Sequence, residues 1–279
     1  MNYLYSVLFG IIEGVTEWLP ISSTGHLILA QTFMKFKDLS PDFWSVFEVV
    51  IQLGAIMAVV ILYFSNICPI KFEKSEKKLK WDKSIFNLWV KIIISCIPAI
   101  LIVVLKVDEV ADKYFYNPTT IAIMLIIVGI AFIFVERFNK NKKDYRVNDV
   151  NDISYKDAVI IGLFQLIAAI FPGTSRSGAT IIGALLIGIS RVISAEYTFY
   201  LAIPVMFGAS LLKVLKYGLA FSTIEWIVLI IGIVISFVIS MIVIKFLMDY
   251  IKKHNFEVFG WYRIVIGIIV LALIVFKII

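Results

Sequence analysis

At 279 residues, 61% hydrophobic and only 16% charged, with a mean hydropathy of +0.97, the chain carries more apolar surface than a soluble fold of its size can hide. The net charge of +6 would point to nucleic acid in a soluble protein, but here its placement points to membrane topology, and no nucleic-acid partner is expected. Cys68 and Cys96 have neither metal-ligand spacing nor the pattern of a secreted disulfide framework, and read as structural.

The first segment, residues 3–33, is apolar but interrupted at Pro20-Ile-Ser-Ser-Thr-Gly25. It lacks the basic head and cleavage pattern of a signal peptide and carries Glu13 and Glu17 where an apolar core should be, so it is read as mature sequence. Spans long enough to cross about 30 Å of hydrocarbon follow at residues 43–63, 85–105 and 119–135. A second interrupted segment, residues 158–189, breaks at Pro172-Gly-Thr-Ser-Arg-Ser-Gly178, and three more spans follow at 193–212, 226–246 and 258–276. Proline removes a helix donor and clashes with the preceding turn, and Ser, Thr and Gly then favour capping a new helix. Both interrupted segments are therefore expected to be re-entrant helix-break-helix hairpins rather than crossings.

Lys71, Lys74, Lys77, Lys78, Lys80 and Lys83 follow the first span, Arg137, Lys140, Lys142, Lys143, Arg146 and Lys156 the third, and Lys252 and Lys253 the fifth. The loop after the second span offsets Lys106 and Lys113 with Asp108, Glu109 and Asp112. The positive-inside rule makes the basic face cytoplasmic. Laid over each other at one constant offset, the two hairpins match Gly10 with Gly162, Glu13 with Gln165, Pro20 with Pro172, Ser22 with Thr174 and Ser23 with Ser175. Three spans follow each hairpin, so the second enters from the opposite face. The expected fold is an all-α integral membrane domain over residues 1–279, an inverted repeat of 1–137 and 154–279 joined by a basic cytoplasmic linker, 138–153. Both breaks would meet near the midplane, where the N–H groups and positive end of each second arm form an anion site.

Glu13 and Glu17, four apart, share one face of the first arm. Ionisable groups inside a bilayer are costly and usually face a cavity or a partner. Two such carboxylates suit a divalent cation such as Mg²⁺ or a general base, and an interfacial pair is the plainer reading. Ser22 reads equally as a cap, Ser23 as a nucleophile, and His26, three residues on, as a functional neighbour on the same face. Arg176 offers a planar fork of donors suited to phosphate, unless a glutamate holds it as a structural ion pair. Ser175, Ser177, Gly178 and Thr180, with Ser22, Thr24 and Gly25 from the first break, complete an oxyanion cradle. Glu48 and Gln52, one turn apart in the first span, either support the site from behind or bond between helices. Arg191 and Glu196 open the fourth span and read as a snorkelling or surface pair.

Taken together, "EGVTEWLPISSTGH", "FEVVIQLGA" and "PGTSRSGAT" closely resemble the motifs of the undecaprenyl-diphosphate phosphatase family associated with bacitracin resistance, and the resemblance spans essentially the whole chain. It implies a membrane hydrolase that removes the terminal phosphate of undecaprenyl diphosphate, a polyprenyl lipid, to regenerate the lipid carrier of cell-wall precursors. It also implies six spans with two re-entrant pairs, a homodimer, and a pocket open to the outer side of the bacterial plasma membrane. In a mechanism compatible with it, Arg176 neutralises the phosphoryl group. A divalent cation, Mg²⁺ or Ca²⁺, sits on Glu13, Glu17 and the diphosphate, Ser23 attacks phosphorus, and His26 or Glu17 takes its proton. A variant gives the attack to His26. Inverted repeats with broken helices also build transporters, so a carrier or flippase of the polyprenyl phosphate is the competing class.

Overall fold

The computed structural model describes residues 1–73, 78–140, 144–218 and 220–278; Lys74, Lys77, Lys142 and Lys143 of the basic loops lie outside them. The chain folds as α1 (Asn2–Thr16), α2 (Ser23–Phe33), α3 (Phe43–Leu62), α4 (Phe64–Ile67), a β1–β2 ribbon (Ile70–Glu73 and Lys78–Trp81), α5 (Lys83–Val104), α6 (Val107–Phe115) and α7 (Pro118–Phe138). A 3₁₀ turn (Val150–Asp152), α8 (Tyr155–Ile170), α9 (Arg176–Leu186), α10 (Arg191–Tyr217), α11 (Thr223–Ile251) and α12 (Glu257–Val275) complete it. Helices α3, α5, α7, α10, α11 and α12 are long and apolar enough to cross a membrane. The protein is an all-α multi-pass membrane protein with six spans, at the places that hydropathy predicts.

Local chemistry sets the helix starts. Asp82 accepts from the Ser84 and Ile85 N–H groups at the head of α5, Asn117 caps α7 ahead of Pro118 at its first position, and Ser154/Asp157 and Ser222/Glu225 form reciprocal capping boxes on α8 and α11. Each device satisfies N–H groups that have no partner inside the helix.

The two halves interlock. Helix α1 packs against α11, and α8 against α5, so the first arm of each hairpin lies on a span of the other half. A serine hydroxyl ties each contact to a backbone carbonyl: Ser6 Oγ donates to Val228 O at 2.5 Å and Ser95 Oγ to Ala158 O at 2.7 Å. Close approach depends on glycine, because a Cβ at Gly10 would stand 2.9 Å from Gly232 O and one at Gly162 2.7 Å from Ser95 O. Pairs α3–α10 and α7–α12 close the bundle.

Three features depart from expectation. The basic loop after α3 contains an antiparallel ribbon in which Ile70 pairs with Trp81 and Lys71 with Lys80, and the Lys71 ammonium meets Asp82 at 2.8 Å. The mixed-charge loop after α5 contains α6. Arg191 is no surface partner of Glu196: its Nε and Nη2 grip Glu136 of α7, whose side chain is fully buried, at 2.6–3.0 Å. Glu136 also accepts from the Phe256 N–H at 2.9 Å, while Glu196 takes the Tyr200 hydroxyl. A carboxylate buried at this depth is tolerated because all its strong acceptor positions are used.

Candidate functional site

Both breaks use one backbone device. After α1 the chain turns through Glu17–Ile21, and Ser22, at φ 78°, caps α2 by accepting the Gly25 N–H at 3.4 Å. After α8, Ser175, at φ 69°, caps α9 by accepting the Gly178 N–H at 3.2 Å. A non-glycine residue at positive φ is strained, and here the strain sits at the two helix starts that face the site. The caps also correct the repeat register: the structure equates Ser22 with Ser175 and Gly25 with Gly178, so the constant offset slips by one residue within the breaks. The extra residue is accommodated around Gly173, whose φ of 89° excludes ordinary side chains and whose Cβ position lies 2.7 Å from Ile121 O. Ser23 is therefore the counterpart of Arg176, each the first residue of its helix.

These two residues meet through one carboxylate. The Ser23 hydroxyl donates to Glu17 Oε2 at 2.6 Å, and Arg176 Nη2 donates to Glu17 Oε1 at 2.7 Å. Arg176 Nη1 donates to Thr198 O at 3.2 Å, and Nη2 also approaches Met206 Sδ at 3.4 Å. With the two side chains only 13% and 9% exposed, the Arg176–Glu17 pair lies in surroundings where losing one partner of such a pair typically costs about 3–5 kcal/mol. Beside it opens a cavity of about 190 Å³, bordered on the polar side by Glu17, Ser22, Ser23, Thr24, Gln52, Ser175 and Arg176. Helices α2 and α9 both begin on it, so their N-terminal dipoles add to the guanidinium charge.

Other expected site residues stand behind this wall rather than in it. Ser177 bonds to Ser175 Oγ at 3.0 Å and to Glu17 O at 3.3 Å. The Thr180 hydroxyl is spent on Arg176 O, Ser177 O and Thr198 Oγ1. Gly25 packs on Ile121, and Gly178 on Phe132 and Ser175. Gln52 reaches the cavity itself, and its neighbour Glu48 stands within electrostatic range of Glu13. His26 is not among the residues that border the cavity. Its Nδ1 lies 2.7 Å from Ser22 O, an acceptor only, so Nδ1 carries the proton, and its Nε2 takes the Tyr262 hydroxyl at 2.8 Å. The two rings stack, with centroids 5.7 Å apart. Three-residue spacing put His26 and Ser23 on one face in the linear reading; in the fold His26 braces the carbonyl just before Ser23.

Glu13 is fully buried, and neither carboxylate oxygen has a hydrogen-bond partner among the described residues. An unpartnered carboxylate one turn from Glu17, within electrostatic range of Arg176 and Glu48, fits a hard, oxygen-seeking cation. No cluster of three or more His, Cys, Asp or Glu side chains forms a metal site by itself among the described residues. Such an ion would need oxygens from its substrate as well as Glu13 and Glu17.

The sequence reading missed Arg263, Tyr262 and Thr198. Arg263 stands in α12, fully buried, and donates to the carbonyls of Pro20, Gly173 and Thr174 at 2.7–3.0 Å. The available signal was an arginine interrupting an apolar span, "WYRIVIG", since such residues usually have a buried task. Thr198 gave no signal of its own.

Comparison with known proteins agrees in one direction. Residues 6–269 match the family described as bacitracin resistance protein BacA. The undecaprenyl-diphosphatase of Lachnoclostridium phytofermentans is 57% identical over 97% of this chain and 96% of its own length. That of Desulfitobacterium hafniense is 56% identical over 95% of this chain and 94% of its own, and undecaprenyl-diphosphatase 1 of Clostridium acetobutylicum is 54% identical over 98% and 97%. With the paired breaks, the Ser23–Glu17–Arg176 bridge and a match covering nearly every residue, the chain belongs to the bacitracin resistance protein BacA family.

Proposed function

We propose that the protein hydrolyses undecaprenyl diphosphate to undecaprenyl phosphate and inorganic phosphate, and so returns the lipid carrier to cell-wall synthesis and confers resistance to bacitracin. The observation that carries this reading is Glu17 joining a serine hydroxyl at 2.6 Å and an arginine at 2.7 Å in a cavity where two helices begin. Full-length relatives named undecaprenyl-diphosphatase supply the substrate. A carrier or flippase would use Arg176 to hold phosphate but has no need of a hydroxyl already bonded to a base.

In the reaction, the terminal phosphate lies against Arg176 and the N–H groups that open α2 and α9. Ser23 Oγ attacks its phosphorus and passes its proton to Glu17 Oε2. The bond between that phosphorus and the bridging oxygen breaks, undecaprenyl phosphate leaves with the proton that Glu17 had taken, and a phosphoserine remains beside an ionised Glu17. Water, deprotonated by Glu17, attacks the same phosphorus; the bond to Ser23 Oγ breaks, Glu17 hands the proton to the serine oxygen, phosphate leaves and the starting state is restored. Arg176 holds the charge that builds on the equatorial oxygens throughout, since phosphoryl transfer is mainly positioning and electrostatics. A divalent cation, Mg²⁺ or Ca²⁺, held by Glu13 and Glu17, supplies further charge neutralisation to the diphosphate when bound. The place of His26 against Ser22 O and Tyr262 favours Ser23 over His26 as nucleophile and Glu17 over His26 as base.

The two hairpins are re-entrant parts of an inverted repeat, and the cavity opens to the outer side of the bacterial inner membrane. Support for that side comes from the second break, where Phe171 packs on Phe115 of α6 with ring centroids 4.9 Å apart. Gly173 touches Ile121, one turn from the head of α7. Both neighbours lie at the end of the bundle away from the basic segments. The protein works as a homodimer, to be checked by its mass in detergent.

The test is phosphate release from undecaprenyl diphosphate by purified wild type and Ser23→Ala, with and without EDTA. Release abolished by EDTA and by the substitution, with a phosphoserine trapped at position 23 in the wild type, is the expected result. Lipid binding without release would transfer the reading to a carrier, and a phosphohistidine at position 26 would reverse the roles of the two residues.

A further inference from the structure

Arg263 is a buried cation whose guanidinium makes no salt bridge among the described residues, and its charge is met by three carbonyl dipoles drawn from both breaks. Nη1 donates to Pro20 O at 3.0 Å, and Nη2 to Gly173 O at 2.7 Å and Thr174 O at 2.8 Å. These carbonyls belong to the non-helical residues between α1 and α2 and between α8 and α9, so no helix hydrogen bond uses them and a buried partner has to be found elsewhere. A rigid fork can satisfy acceptors on two separate chains at a fixed distance, which a point charge on a flexible stem does less well.

The connections onward are short. Pro20 is two residues before the cap Ser22 and three before Ser23, while Thr174 precedes the cap Ser175 and stands two before Arg176. Gly178 lies against the guanidinium, its Cβ position at the ordinary contact distance of 3.5 Å from Nη1. Arg263 itself does not border the cavity, so it reaches the chemistry only through the two breaks. Its neighbour Tyr262 adds a second hold from α12 on the first break, through His26 and Ser22 O.

We propose that Arg263 is a positioning residue that clamps the two breaks to each other and thereby sets the separation between the Ser23 hydroxyl and the Arg176 guanidinium. This rests on the phosphatase reading above. A clamp of this kind matters most in the transition state, where nucleophile, phosphorus and anion donors must align, and little for the encounter with a lipid that Arg176 can still attract. Loss of alignment therefore lowers kcat while KM stays near its original value.

The experiment compares purified wild type, Arg263→Lys and Arg263→Gln in detergent for kcat and KM of phosphate release from undecaprenyl diphosphate, alongside elution profile and melting temperature. The expected outcome is a fall in kcat of about 100-fold for Gln and about 10-fold for Lys, with KM within about threefold of wild type. Partial recovery by Lys reflects its ability to reach some of the three carbonyls. Should Arg263→Gln not fold, Arg263→Lys alone carries the comparison. A folded variant with unchanged kcat overturns the proposal, as does a rise in KM at constant kcat, which would make Arg263 a direct anion ligand. Failure of both variants to fold overturns it too, in favour of a purely structural role. An inactive wild type strikes the phosphatase reading instead, so the two failures are distinguishable.

Discussion

In the first hairpin a serine at φ 78° caps α2 and is followed by Ser23; in the second, a serine at φ 69° caps α9 and is followed by Arg176. The caps, the glycines three residues later and the positive dipole ends aimed at one cavity are the same. The side chains are not. Glu13 of the first arm corresponds to Gln165 of the second, both buried without hydrogen-bond partners among the described residues, and Glu17 corresponds to Ala169. A duplicated backbone thus places two first-turn side chains at one cavity, and the exchange of a few residues divides the labour between them. One hairpin brings hydroxyl and carboxylates, the other brings the cation. Neither half holds both members of the Glu17–Arg176 pair, so the chemistry needs the two breaks in contact.

The sharpest way to break this comparison is to remove the cation of the second hairpin. Arg176→Ala leaves the Glu17 carboxylate buried without its partner and removes the fork that would hold phosphate. We expect kcat/KM to fall by about 10³-fold or more, or at least about 4 kcal/mol of transition-state stabilisation, and Arg176→Lys to recover only a small part because a point charge cannot replace the fork. Near-normal turnover by folded Arg176→Ala would sink the division of labour.

The next test makes the first arm resemble the second: Glu13→Gln removes the charge that sets the two apart while keeping the shape. If Glu13 helps hold the cation, the concentration of Mg²⁺ or Ca²⁺ giving half-maximal phosphate release should rise by about tenfold or more. An unchanged metal requirement would confine that role to other oxygens. For His26, which has no counterpart in the second hairpin, replacement by Ala should lower kcat by about 10- to 100-fold through loss of its hold on Ser22 O. Tyr262→Phe should cost no more than about threefold, since only one hydrogen bond to His26 is lost. A Tyr262→Phe effect as large as that of Ser23→Ala would show that the hydroxyl takes part in proton transfer.

The smallest expected effect on chemistry, but a clear one on stability, concerns the extra residue of the second break. Gly173→Ala would demand a positive φ from alanine and push its Cβ to 2.7 Å from Ile121 O, which should cost about 1–3 kcal/mol of strain and lower the melting temperature measured in detergent. The substitution at Gly25, where φ is ordinary and the nearest neighbour beyond the hairpin is 3.3 Å away, should lower it less.

Much of this was legible along the chain. Unbroken apolar runs marked the six spans, because crossing a bilayer demands length and hydropathy from neighbouring residues alone. Pro20 and Pro172 announced both breaks for an equally local reason. Glu17, Ser23 and Arg176 stood out as polar groups at such breaks, and a glutamate holding Arg176 or taking the serine proton was among the readings, but that one carboxylate, Glu17, does both could not be read there. The register of the repeat was misread by one residue, since a constant offset cannot detect that both caps are serines in a left-handed backbone conformation.

What the sequence determined by itself, then, is the class of protein, the positions of its six spans and two breaks, and most of the reactive groups at those breaks, all carried by adjacent residues. Only the tertiary structure decided which groups meet: Glu17 with Arg176 across 159 residues, Pro20 with Arg263 across 243, and His26 with Tyr262 across 236. The physical reason is that hydropathy and helix breaking act over a few residues, whereas a partner hundreds of residues away is chosen by how whole helices pack. That packing also set His26 between Ser22 O and Tyr262, a choice its distance from Ser23 along the chain could not reveal.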